Sequence, residues 1–359
     1  MCSGSAALDT FPRMQNSGRR LVALGALSLV VLALSAPVAG AAPGTPSRVA
    51  AAAAASDAIT IEAGINDRKN PTVAVTEFLP AEVSVPVGAT LTWSWARAVE
   101  PHSVTFFPSG VTPPPPGSDR ALFAPTPPTG PYNGSTLVNS GLQPLGATPP
   151  PFSITFDTAG DFPYYCVIHP NMIGTVKVVE GTEKVDTPAT AKSRALEEGR
   201  RWVAEGRAAA RKLAAAKPKS TKAGDGSVTW DVEMGTTTEH TDILAFAPAP
   251  AKVKAGDNVR FVNNSQAPHT GTFSGRQEAI TDSLAPETST AIPGPSPQTL
   301  NSTDLFNTGE LPPNAGNPPP PIEARSYTYL VPTAGTYDYY CILHVASGMA
   351  SQIRATGGS

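Results

Sequence analysis

The chain has 359 residues, enough for two ordinary domains and the segments between them. Only 15% of its residues are charged, and 39 prolines with 31 glycines exclude a mainly helical protein in favour of strands, turns and loops. The net charge of −3 is unevenly spread: residues 59–180 carry 9 acidic and 5 basic side chains, residues 223–359 carry 13 and 6, and residues 181–222 carry 5 and 11. Two mildly acidic stretches therefore flank a basic connector.

At the N-terminus Arg19-Arg20 precede a charge-free apolar run, Leu21 to Leu34, and Ala39-Gly40-Ala41 offers small residues for cleavage. That run is short for a bilayer span and suits a signal peptide over 1–41, so export is expected and the mature chain starts near Ala42. An uncleaved anchor is the alternative, and it is the one expected route to membrane association. The arginine pair suggests twin-arginine export, although Ser17-Gly18 breaks the usual spacing. Residues 42–58 are alanine-rich without periodicity and predict a disordered lead.

Strand signals follow. Thr72 to Thr76 is β-prone, Glu82 to Val85 alternates before a Pro-Val-Gly turn, and Thr90 to Trp95 places Leu91, Trp93 and Trp95 on one face as core. His102 comes next, then a proline-rich excursion from Pro108 to Pro151 whose PPPP cluster cannot enter a sheet interior. It predicts a long surface loop over one end of the domain. The stretch PFSITFDTAGDFPYYCVIHPNMIG then brings Cys166, His169 and Met172 close together in sequence. Phe162 and Tyr164 share the parity of Cys166 on a strand directed into the core.

The connector opens with the helix-start signal Asp186-Thr187-Pro188 and stops at Pro218. About thirty helical residues would reach roughly 45 Å. Leu196, Val203, Ala210 and Leu213 form its predicted docking stripe. Interspersed glutamates and the expectation of export favour a solvated spacer over a nucleic-acid-binding helix. Lys219 to Gly226 is expected to be a flexible hinge.

The first pattern then recurs. AKVKAGDNVRFVNNSQAPHTGTF leads to His269, LFNTG at Leu305 repeats LVNSG at Leu137, and Tyr327 to Met349 repeats the stretch containing Cys166. Three blocks in the same order predict a tandem duplication, with domains over 59–180 and 225–359 and a linker over 181–224. A second proline-rich excursion runs from Ser274 to about Pro321.

A thiolate, two imidazoles and a weak thioether are the ligand set of an electron-transfer copper, because that set serves both oxidation states with little movement. One cysteine per repeat in an oxidising compartment also admits a Cys166–Cys341 disulfide, which would leave the matched histidines and methionines unexplained. Cys-x-x-His followed by Met, behind Tyr-Tyr and downstream of a strand-borne histidine, resembles the ligand loop of the small blue copper proteins, the plastocyanin-like cupredoxins. The resemblance spans both repeats and omits the N-terminus and connector. It implies an all-β chain of two Greek-key sandwiches joined by a helical linker. It further implies type 1 copper, one per domain and two per chain, on His102, Cys166, His169 and Met172 and on His269, Cys341, His344 and Met349. Ser103 and Thr270 stand where the family often has Asn, and each offers a hydroxyl as a hydrogen-bond donor.

The resemblance also implies that His169 and His344 reach the surface among Pro170, Ile173 and Val345, a docking patch for redox protein partners. Those partners are expected to be basic, since both domains are acidic. Of the five histidines, four are assigned and His240 alone is spare, too few for an oxygen- or nitrite-reducing centre. A carrier of single electrons is therefore expected rather than an enzyme, with no small-molecule substrate and no nucleic acid. Copper storage or delivery is the rival reading.

Overall fold

The computed structural model describes residues 58–143, 149–273, 296–301, 305–316 and 318–358. The expected signal peptide, nearly all of the N-terminal lead and much of the second proline-rich excursion lie outside these residues.

The first half runs β1 (Ile59–Asp67), β2 (Asn70–Leu79), β3 (Glu82–Pro86), β4 (Thr90–Ser94), β5 (Thr105–Phe106), β6 (Val138–Asn139), β7 (Phe152–Thr155), β8 (Gly160–Tyr165) and β9 (Ile173–Val179). Helix α1 (Pro188–Ala214) follows. The second half runs β10 (Ser220–Lys222), β11 (Val228–Thr237), β12 (Thr241–Ala247), β13 (Ala251–Lys254), β14 (Asn258–Val262), β15 (Thr272–Phe273), β16 (Gln298–Thr299), β17 (Phe306–Asn307), β18 (Ser326–Leu330), β19 (Gly335–Tyr340) and β20 (Ala350–Thr356).

Each half is a β-sandwich. One layer is a five-stranded sheet, ordered β3-β9-β8-β5-β6 in the first half and β13-β20-β19-β15-β17 in the second. The other layer is shared, because β2 pairs with β12 and joins both halves in one ten-stranded sheet. The inner faces alternate, so Trp93 and Tyr164 meet edge to face with ring centroids 5.3 Å apart, and Phe261 and Tyr339 do so at 5.0 Å. These aromatics are fully buried and anchor two separate cores. The tryptophans expected in the core are there.

The β2–β12 seam has an internal symmetry. Ala63 lies opposite Phe78 and Ile65 opposite Val75, as Met234 lies opposite Phe246 and Thr236 opposite Ile243. Across the seam Val75 faces Thr241, Ala74 faces Asp242 and Val73 faces Ile243. Exchanging the halves turns the first of these pairs into the third. A local two-fold axis therefore runs through Ala74 and Asp242, as in an isologous dimer interface.

Helix α1 splints that seam. Thr187 caps it, accepting from the N–H of Thr190 at 3.1 Å while the Thr190 hydroxyl accepts from the N–H of Thr187 at 2.9 Å, and Pro188 occupies its first turn. Its buried positions are Ala191, Gly199, Trp202 and Gly206, whereas Leu196 is 43% exposed. The docking face is thus rotated from the expected stripe. Small residues let the helix approach the sheet: a Cβ on Gly206 would meet Val73 Cγ1 at 2.5 Å and Thr241 Cγ2 at 3.2 Å. Trp202 fills the space over Ile65, Val75 and Leu79. Arg207 clamps Asp67 at the end of β1 through two bonds of 2.6 and 2.7 Å. The expected hinge is also partly ordered, since β10 pairs with β11 through Ser220 to Lys222. No helix among the described residues is long and apolar enough to cross a membrane.

Candidate metal centre

The ligand-loop cysteines stand one residue past β8 and β19, on the parity that Phe162 and Tyr164, or Tyr337 and Tyr339, direct inward. The chain then folds back. Cys166 N–H donates to Met172 O at 3.1 Å, and Cys341 N–H donates to Met349 O at 3.0 Å. Each return uses a left-handed residue just before the methionine, Asn171 at φ 65° and Gly348 at φ 87°. Glycine adopts that conformation freely, which suits the longer second loop. The first histidine of each half precedes a short strand, β5 or β15, that pairs with the cysteine's strand.

These elements bring together His102, Cys166 and His169 in one half and His269, Cys341 and His344 in the other. Within each group one ligand atom per residue lies within 4.8 Å of the others, and all six residues are buried. His169 Nδ1 is 3.3 Å from Cys166 Sγ and His102 Nδ1 is 3.9 Å from it. In the second half the corresponding distances are 3.3 and 3.8 Å, and the two Nδ1 atoms are 3.0 Å apart. Met172 and Met349 are buried on the same loops. Both cysteines are free thiols, not a disulfide.

Burial sets the electrostatics. It pushes the Cys166 thiol upward and the Cys341 thiol up to about 11. It drives His169 down to about 4 and His269 down to about 3, and holds His102 and His344 far below the ordinary range. Each centre is therefore a set of neutral nitrogen lone pairs beside a thiol, without a charge of its own to satisfy them. Soft and borderline donors arranged in this way fit a metal ion, which would displace the thiol proton.

Several neighbours hold these side chains, and Gly64, Gly235 and Trp95 among them carried no functional signal in the sequence. Gly64 and Gly235 sit at equivalent irregularities of β1 and β11, with φ of 76° and 81°. A Cβ on Gly64 would lie 2.2 Å from His102 Nε2, and one on Gly235 would lie 3.0 Å from His269 Nε2. Trp95 Nε1 donates to His102 O at 3.1 Å. The hydroxyls at Ser103 and Thr270 accept Val167 N–H and Ile342 N–H, both at 2.9 Å, and each also bonds a neighbouring hydroxyl: Ser103 donates to Thr105 Oγ1 at 3.1 Å, whose own O–H goes to Asn139, and Thr270 Oγ1 lies 3.0 Å from Thr272 Oγ1. Thr270 N–H points to Cys341 Sγ at 3.3 Å. The LVNSG block also acquires a role. Ser140 Oγ accepts Val104 N–H at 2.8 Å, and Asn139 accepts from Thr105 Oγ1 at 2.8 Å while donating to Leu122 O and Ala124 O in the proline-rich excursion.

That excursion does cover the loop end of the first half. Gly117 N–H donates to Val167 O at 2.7 Å, and Pro113 to Pro116 with Tyr165, Pro170 and Ile173 border a groove of about 540 Å³. The expected surface exposure of the second histidines is corrected here, since His169 and His344 are each only 7% exposed. Ile173 and Val345 do remain exposed, at 46% and 39%.

No family model matches the chain. A stretch of 111 residues, 31% of the chain, is 29% identical to the chloroplastic plastocyanin of Tetradesmus obliquus, covering 57% of that protein. A stretch of 110 residues, again 31% of the chain, is 28% identical to the plastocyanin of Scenedesmus fuscus, covering 85% of it. Among solved structures, one Cu(I) amicyanin variant is 26% identical over 36% of this chain and 89% of that chain, with a TM-score of 0.23. A second is 22% identical over 34% and 82%, with a TM-score of 0.22.

Proposed function

We propose that this chain, a plastocyanin-like cupredoxin, is an exported carrier of single electrons with one type 1 copper in each half. His102, Cys166, His169 and Met172 hold the first copper; His269, Cys341, His344 and Met349 hold the second. Copper in such a set supplies a one-electron couple that needs little ligand movement. The residues of the chain contribute the rest. The sandwiches fix the ligand atoms, burial excludes water, and backbone N–H groups such as that of Thr270 stabilise the thiolate.

The observation that carries this reading is the convergence, twice, of two imidazole Nδ1 atoms on one buried thiol. The plastocyanin relatives support it, as does the position of each buried methionine directly beside the cysteine's backbone. With four histidines used in this way, His240 is left bonded to Glu77 at 2.9 Å and packed at a tilt against Trp202, a structural position.

Metal analysis and visible absorption of the purified chain test the proposal. Two coppers per chain are expected, with an intense thiolate-to-copper band that bleaches reversibly on reduction. Cys166→Ser should leave the band of the second centre alone, and Cys341→Ser that of the first. Tight Cu(I) binding without the band would instead establish storage or delivery. A chain that binds one copper and is unaffected by Cys341→Ser would show the second centre to be vestigial.

A further inference from the structure

The two centres have different surroundings. In the second, the outer nitrogen of the first histidine is satisfied: His269 Nε2 lies 2.8 Å from Ser265 Oγ. In the first, the partner stands beside the other histidine. His169 turns Nδ1 toward Cys166, so its Nε2 carries the proton when Nδ1 binds a metal, and Nε2 lies 3.8 Å from Glu100 Oε2. The Glu100 side chain is 2% exposed, and neither of its oxygens has a hydrogen-bond partner. Burial and the nearby Asp242 hold this carboxyl well above its ordinary range, so as an anion it is costly unless a cationic or donating partner meets it, and its position beside an imidazole calls for an explanation. His102 and His269 occupy equivalent places, and counting back two residues from each sets Ala267 against Glu100. Among the described residues, the second centre has no carboxyl at the place of Glu100.

Resting on the copper reading above, we propose that Glu100 is a positioning residue for the first centre alone. Its carboxylate accepts the Nε2–H of His169 when the metal is bound, and its negative charge favours the more highly charged ion there. Carboxylate–histidine–metal links of this kind fix the ring and raise the basicity of the ligand. A closure of under 1 Å converts the observed separation into a charge-assisted hydrogen bond. The consequence is an unequal pair. The first centre holds Cu(II) more firmly, the second is the easier to reduce, and a single electron on the chain rests at the second.

The test uses full-length chain carrying Cys341→Ser, which isolates the first centre, with Glu100 either retained or changed to Gln. Zn(II) affinity, measured by competition with a chelator, should fall about tenfold, within the range found when such outer partners are removed. The copper redox equilibrium should move about tenfold toward the reduced form, which is about 59 mV for one electron. Glu100→Asp keeps the charge and should hold the potential near that of the parent, whereas a merely structural role would make Asp as disruptive as Gln. In the Cys166→Ser chain, Glu100→Gln should leave the second centre unchanged. Unaltered Zn(II) affinity and potential at the first centre, or equal shifts at both, would overturn the proposal. If the copper chain shows no blue band yet Zn(II) affinity still falls tenfold, the electron-carrier reading fails and the role of Glu100 stands.

Discussion

Gly64 lies flat against the Nε2 edge of His102, leaving no room for a side chain between strand β1 and the ligand. Gly64→Ala should therefore displace His102 from the first centre while sparing the second. The left-handed backbone adds roughly 1–2 kcal/mol of strain. Metal content falling from two ions to one, with a lower unfolding midpoint, is the expected outcome; two ions retained at unchanged affinity would show that the contact is slack.

Ser103→Ala removes the acceptor for Val167 N–H inside the protein. An unsatisfied buried donor costs about 1–3 kcal/mol, and the loss falls where the ligand loop leaves Cys166. Faster metal release from the first centre is expected, together with reduced stability in denaturant. Thr270→Ala should do the same to the second centre, and Ser103→Thr should restore most of the loss.

Trp202→Ala empties the space over Ile65, Val75 and Leu79 and should cost about 3–5 kcal/mol. Because this residue lies above the seam, the loss should appear as a change in cooperativity. Calorimetry of the parent should give one transition, and the variant should show the two halves melting apart.

Arg207→Ala releases Asp67, a carboxylate only 4% exposed. The Arg207 guanidinium holds Asp67 below its ordinary value of 3.8. The stabilisation is therefore complete above that ordinary value and disappears as pH falls through the depressed one. The variant should melt lower than the parent at neutral pH, and the two should converge in strong acid. A difference that persists undiminished in acid would mean that Arg207 acts through its alkyl stem.

The gathering of His102, Cys166 and His169, and of His269, Cys341 and His344, was legible in the sequence because metal chemistry restricts residue type and spacing together. The sandwich was legible through its alternating strands. The seam was not, because pairing between β2 and β12 uses backbone groups that any β-prone segment possesses. The docking face of α1 was misplaced for a related reason. Leu196 and Leu213 look apolar by composition, but the contact is made by Gly199 and Gly206, whose value lies in the atoms they lack. Glu100 gave no signal either, since an acidic residue before a proline in a loop is ordinarily a solvated one.

The two-fold axis through Ala74 and Asp242 places the halves as two identical subunits would sit, yet one covalent chain makes the arrangement. Two separate copies would part on dilution, whereas here the partner's local concentration is fixed by the tether, whatever the total amount of protein. A true homodimer would also have to carry every residue twice. Joined end to end, the halves are free to diverge, so Glu100 can face Ala267 across the pseudo-symmetry and Asp242 can face Ala74. Covalent linkage is what permits a division of labour between two otherwise matching centres.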